Sequence, residues 1–181
     1  MQVFIYKLTM RDFIKRKLNE RLNRKLLSES LRIPEPVELI GDEDSYRNIN
    51  YNDIELIDMG NDGVDLIYIG VKLPNEKELN RGIVLDVKLV NDLYLVINLL
   101  MDFNLQGKGL GSKIYEKFIY EFGHAFSSFE KRANQEQIPA IWNKLKNNPN
   151  FEVYESSIGE LCVLKSNEDK ADIIQRFNEL T

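Results

Sequence analysis

LYLVINLLMDFNLQGKGLGSKIYEKFIYEF, residues 93–122, is the stretch whose reading decides the fold. Its first third is a near-continuous run of apolar, β-favouring residues, which suits a strand buried on both faces. Its last third repeats apolar residues at helical spacing: Leu110, Ile114 and Phe118, with Tyr115, Ile119 and Phe122 beside them. Between the two lies Gln106-Gly107-Lys108-Gly109-Leu110-Gly111-Ser112. A strand, a glycine-rich turn and a helix form a ready anion site. The first helical turn carries unpaired N–H groups and the positive end of the dipole. Glycine permits positive φ and lets a phosphate approach the backbone.

Three phosphate motifs compete for this turn. The nucleotide loop G-x-x-x-x-G-K-[ST] fails, because Gly111 follows Gly107 by four residues and Ser112 precedes Lys113. The dinucleotide fingerprint G-x-G-x-x-G needs a glycine where Ser112 stands, and an acid after a following strand that here reads AFSSF. Gln106 to Gly111 fits the third, Q/R-x-x-G-x-G/A. In its strand–loop–helix setting the stretch resembles the acyl-CoA pyrophosphate loop of the GNAT family of N-acyltransferases. A glycine-rich turn that merely caps an ordinary helix is the competing reading.

Outward from this centre, the 181 residues suit one domain, 1–181, with a real core. A hydrophobic fraction of 43% and a charged fraction of 29% are those of a soluble globular protein. No apolar run approaches the ~20 residues of a membrane span, and MQVFIYKLTMRDF lacks the pattern of a signal peptide. With one cysteine no internal disulfide forms, so the expected compartment is the cytoplasm. A net charge of −5 argues against a surface given over to nucleic acid.

Gln2 to Leu8 suits a first strand, and Thr9 to Leu31 a helix with Met10, Ile14, Leu18, Leu22 and Leu26 on one stripe. That helix is basic, with Lys7, Arg11, Lys15, Arg16, Lys17, Arg21, Arg24 and Lys25 against Asp12 and Glu20. It reads either as a solvated helix packed on the sheet or as a contact for RNA or another acidic partner. The charges are spread around the helix, which favours the former. Ile33-Pro34-Glu35-Pro36 ends it, and Gly41 to Asn52 reads as an exposed loop.

Strands are expected at Ile54–Met59, Val64–Leu73 and Gly82–Val90, with Asp62-Gly63 as a hairpin signal. Together with Leu93–Met101 they form an antiparallel meander. After the central helix, Gly123 suits a helix C-terminus. His124, the sole histidine, reads either as a general base or as a helix-end residue held by the dipole. Ala125–Phe129 reads as a short strand, about Asn134–Lys146 as a helix, Phe151–Glu155 and Glu160–Lys165 as a hairpin, and Lys170–Leu180 as a terminal helix. Cys162 reads as a small packed hydrophobe. No Cys/His cluster has metal-ligand spacing, so no metal is expected.

Ala140-Ile141-Trp142-Asn143-Lys144-Leu145 resembles the A-x-x-L-Y-x-K-L pattern of the GNAT family's last helix, with Trp142 where tyrosine is common. An indole cannot supply the proton that tyrosine gives the leaving thiolate, and Trp142 suits packing better than chemistry. The resemblance implies an α+β fold: a mixed, largely antiparallel sheet flanked by helices on both faces. It implies acetyl-CoA as co-substrate and an amine as acceptor. The backbone N–H groups of Gly107, Lys108, Gly109, Gly111 and Ser112 would hold the pyrophosphate, with side-chain contacts from Gln106 and Lys108. Backbone groups of Leu100, Met101 and Phe103 would bind the pantetheine amides and orient the thioester. The strand after the central helix would splay from its neighbour and admit the pantetheine arm. Asp102 is the candidate base and Tyr154 the candidate acid, each with an alternative as an ordinary surface polar residue. A non-catalytic binding module of the same fold, and an acyltransferase acting on an RNA-linked amine, are the other readings.

Overall fold

The computed structural model describes residues 46–61, 66–74, 80–129 and 138–180. The expected strand at Gln2–Leu8, the basic helix at Thr9–Leu31, the Asp62-Gly63 turn and the start of the helix at Asn134 lie outside these.

Among the described residues the chain forms β1 (Glu55–Asn61), β2 (Leu66–Lys72), β3 (Asn80–Val90), β4 (Leu93–Met101), helix α1 (Leu110–Phe122), β5 (His124–Ser128), helix α2 (Ile138–Lys146), β6 (Phe151–Glu155), β7 (Gly159–Leu164) and helix α3 (Lys170–Asn178). The strands make one sheet in the order β1-β2-β3-β4-β5-β7-β6. Every neighbouring pair is antiparallel except β4 and β5. The meander forms because short turns can only connect antiparallel strands. Asn91 and Asp92, at φ 49° and 60°, make the tight β3–β4 turn that such residues tolerate. The parallel β4–β5 step follows because α1 carries the chain back across the sheet.

Strand alternation divides the core between two faces. On β7, Cys162 faces one way while Leu161 and Val163 face the other. On Cys162's side, Leu85, Val87, Val96 and Ala125 pack against Tyr115, Phe118 and Ile119 of α1 and Trp142 and Leu145 of α2. That face continues past the start of α1, where Leu110 and Ile114 meet Val71, Ile83 and Leu105. On the opposite face Leu93, Leu95, Phe126, Leu161 and Val163 are covered by Ile173 and Phe177 of α3. Each fully buried side chain of this size contributes roughly 1.5–3 kcal/mol.

The segment expected to be an exposed loop is more structured than its composition suggests. Tyr46 is 5% exposed and joins Ile54 in the core beneath α1. Asn50 caps a 3-10 turn at Tyr51–Asp53, accepting the Asn52 N–H at 3.0 Å. Polar composition hid a buried aromatic anchor.

Gly159 opens β7 where β5 passes at close range. A Cβ there would lie 2.2 Å from the Ser127 carbonyl oxygen. Gly159→Ala should therefore cost about 2 kcal/mol or more, read as a lowered urea midpoint at unchanged slope.

Candidate functional site

The site grows from the C-terminal end of β4. β4 is joined to its parallel neighbour β5 by one bridge, Leu95 to Phe126. Just before it the Tyr94 N–H donates to the His124 Nε2 at 3.1 Å, a side chain standing in for a strand carbonyl. Beyond Leu95 no further bridge joins the two strands. β4 also bulges there: its register with β3 passes from Val96–Val87 to Asn98–Asp86, leaving Ile97 as the extra residue. Bulges bend a strand and re-aim its side chains.

Past Met101 the chain turns through Phe103–Leu105, with Asp102 as the cap. The Asp102 carboxylate accepts the Asn104 N–H at 2.9 Å, and its own N–H donates to the Gly82 carbonyl at 2.7 Å. Leu105 is buried, while Phe103 is 84% exposed. The Gln106 side chain donates to the Met101 carbonyl at 2.9 Å and folds the loop back on the strand end. Three carbonyls of the 100–103 segment are thus engaged within the loop, since Asp102 accepts the Leu105 N–H at 3.0 Å and Phe103 the Gln106 N–H at 3.2 Å.

The glycines then divide by role. Gly107 and Gly109 have φ of +73° and +77°, a region costly to other residues. A Cβ at Gly107 would meet nothing within 4 Å, and one at Gly109 only the Lys144 ammonium at 3.9 Å. The backbone at both positions is therefore approachable. Gly111 differs: its Cβ would sit 3.0 Å from Ile141 Cδ1 and 3.4 Å from Leu99 Cδ2. It lets α1 lie close against α2 and the sheet.

The electrostatics of the loop are one-sided. The cap of α1 is Gly109, with no side-chain cap bond and no acid in the first turn. The Ser112 hydroxyl donates to the Gly109 carbonyl at 3.0 Å and accepts from the Lys144 ammonium at 3.4 Å. Lys113 donates to the Arg47 carbonyl at 2.5 Å. Burial, and then the nearby Lys144, push the Lys113 ammonium below its usual pKa. Two lysines and a bare helix N-terminus thus favour an anion at one place. The Lys108 side chain, expected to reach toward a phosphate, is buried at 7% exposure. Lys144 was visible in sequence only as a motif letter. It reaches the loop because α2 packs beside α1.

The two candidates for proton transfer stand apart. Tyr154 shares a row across the sheet with Leu161, Phe126 and Leu95. Asp102 lies seven residues further along β4 from that row and three strands over. At ~3.3 Å per residue and ~4.8 Å per strand they are separated by more than about 20 Å. The Tyr154 hydroxyl donates to Glu152, which raises the phenol pKa and makes it a poorer acid; Lys170 meets the same carboxylate at 3.2 Å.

His124 directly follows the Gly123 cap of α1, as expected, but it is neither a cation held by the dipole nor poised as a base. It is the first residue of β5 and 4% exposed; burial, then the Arg176 charge, push its pKa down to about 4. The ring is therefore neutral, with Nε2 as acceptor and the proton on Nδ1. Trp142 is core, 1% exposed and edge-on to Tyr115 at 6.4 Å. Burial, then Glu160, lift the Cys162 thiol to about 12, which removes it as a nucleophile.

One polar group escaped sequence reading. Asp86 is 7% exposed and accepts from the Asn98 amide at 3.3 Å. The signal was present: a lone acid inside the apolar run Ile83-Val84-Leu85-Asp86-Val87. Among the described residues no group of three His, Cys, Asp or Glu side chains could hold a metal, and no helix is long and apolar enough to cross a membrane.

No protein-family model and no curated protein matches the chain.

The buried neutral His124 makes stability depend on acid. Its folded pKa is depressed, so between pH 6.5 and about 4 the unfolded chain binds the extra proton. The contribution is whole above pH 6.5 and is lost as pH falls toward 4, by about 3 kcal/mol. Urea midpoints measured across that window should fall for the parent and fall less steeply for His124→Asn.

Proposed function

We propose that the chain is a GNAT-like, acyl-CoA-dependent N-acyltransferase. The observation that carries this reading is the approachable Gly107–Gly109 backbone at a lysine-flanked helix N-terminus, placed just past the end of β4. Such a loop suits a pyrophosphate. The strand order, the bulged β4 and the helices against both faces agree with the fold that the loop motif implies.

In this reading the first-turn N–H groups of α1 and the N–H groups of the loop hold the pyrophosphate of acetyl-CoA, with Lys144 neutralising charge from the side. Gln106 keeps the loop in shape through Met101, and Gly111 keeps α2, and with it Lys144, close. The pantetheine arm runs along the C-terminal end of β4. The thioester then stands near the bulge, where backbone N–H groups can polarise its carbonyl. An amine attacks, the C–S bond breaks, and CoA leaves as the thiol.

A non-catalytic module that binds acyl-CoA is the second reading. The separation of Asp102 from Tyr154 favours it, because no acid–base pair is assembled from those two residues.

Calorimetry with acetyl-CoA and with free CoA tests the site. Binding on the order of micromolar is expected for the parent. Gly109→Trp should abolish it without unfolding the chain, since its side chain enters the space a phosphate would fill. Lys144→Glu should weaken it by about tenfold or more, with the gap shrinking as salt rises. If Gly109→Trp bound acetyl-CoA as tightly as the parent, the loop assignment would be wrong.

A further inference from the structure

α1 carries a tyrosine pair that the loop chemistry does not use. Tyr120, in the last turn of α1, stacks on Tyr51 of the 3-10 turn, with ring centroids 4.6 Å apart and planes 7° from parallel. Offset stacking is an ordinary aromatic contact, but here the hydroxyls meet as well. The Tyr120 hydroxyl is hydrogen-bonded to that of Tyr51 and accepts from the Asn150 amide at 2.7 Å. With parallel rings and hydroxyls in contact, both phenols point the same way. The ortho carbons beside the two oxygens therefore face each other across the stack. Both rings are held in place. Tyr51 opens a turn that Asn50 caps, and its carbonyl accepts the N–H of Ile54, which is buried beneath α1. Tyr120 rests on Phe151 with ring centroids 5.2 Å apart. Each ring is only half-buried, so an oxidant can take electrons from it.

We propose that Tyr51 and Tyr120 form a site of oxidative modification, at which a peroxidase-class oxidant using hydrogen peroxide joins the two rings as dityrosine. Each phenol gives up one electron and its hydroxyl proton, and the unpaired electron spreads to the ortho carbons. A C–C bond forms between one ortho carbon of each ring. The hydrogen on each of those carbons then moves to the oxygen of its own ring and restores the phenol. The two electrons and two protons released reduce one hydrogen peroxide to two water molecules. The new bond fastens the turn at Tyr51–Asp53 to the helix that starts at the glycine loop. It also closes a long loop of the unfolded chain, which stabilises the fold as a disulfide of that span would. The site works whether or not the glycine loop holds acyl-CoA.

The chain has eight tyrosines, so the test must locate the crosslink. The parent, Tyr51→Phe and Tyr120→Phe are each treated with a haem peroxidase and hydrogen peroxide at several protein concentrations. The single-chain product is isolated on a denaturing gel, digested and mapped by mass spectrometry. For the parent, the expected product is two hydrogens lighter than the untreated chain, and its digest joins the peptide containing Tyr51 to the one containing Tyr120. Its yield should not change on dilution, because the coupling lies within one chain. The joined peptide and the dityrosine fluorescence of the single-chain product should be lost in both variants, since a phenylalanine ring forms no phenoxyl. The crosslinked parent should unfold at a higher urea midpoint than the untreated chain. Should a variant fail to fold, the peptide map of the parent decides alone. A parent whose single chains carry no dityrosine, or carry it between other tyrosines, overturns the proposal. So does the same joined product in either folded variant, or a crosslinked parent whose urea midpoint has not risen.

Discussion

β4 and β5 run parallel, joined by the Leu95–Phe126 bridge, and the arrangement of the molecule turns on that pairing. A parallel pair needs a crossover, and α1 is that crossover. α1 must begin where β4 ends, so the glycine loop is placed at the strand terminus. The same crossover sets α1 on one face, where its apolar stripe covers Leu85, Val87 and Val96. β5 in turn starts the second half of the sheet, and β7 and β6 build outward from it. Phe126 of β5 and Leu95 of β4 are held from behind by Phe177 and Ile173 of α3. The β4–β5 pairing is therefore packed on both faces, and the His124 ring accepts the Tyr94 N–H beside it.

The local chemistry of the glycine loop follows from this frame. Gly107 and Gly109 hold left-handed backbone, with open space at Gly107 and only the Lys144 ammonium near Gly109, which makes main-chain donors reachable. Gly111 serves packing instead, although it belongs to the same motif. Lys144 arrives from a helix that is distant in sequence but close in space through Ile141 and Gly111. A helix start with no side-chain cap, beside lysines, favours an anion. That is why the loop, more than any single side chain, supports the acyl-CoA reading. On the other face Asp86, buried and accepting from the Asn98 amide, stands next to the β4 bulge.

Much of the central stretch was legible because its signals were strong and local. Leu93–Met101 and Leu110–Phe122 have the bounds expected from an apolar run and a helical period. Phe151–Glu155 likewise shows as a strand bounded by turn residues. Legibility fell where context outweighed local preference. His124, placed next to a helix end, would gain from the dipole as a cation. Burial opposes that charge more strongly, and the ring instead completes a β4 hydrogen bond. Tyr46 was lost in a polar run for a similar reason, because composition averages away a single anchor. Asp102 and Tyr154 are both near strand ends in sequence, yet register separates them by more than about 20 Å.

The sequence by itself determined the order of strands and helices, the glycine loop and its phosphate-like pattern, because these depend on periodicity and on what glycine allows. Only the tertiary structure decided that Lys144 stands over Gly109, that Gly111 is a packing residue, that Asp86 faces away from the loop beside Asn98, and that His124 is neutral. Each of those depends on which face a strand presents and on what lies across it, and no neighbour along the chain carries that information.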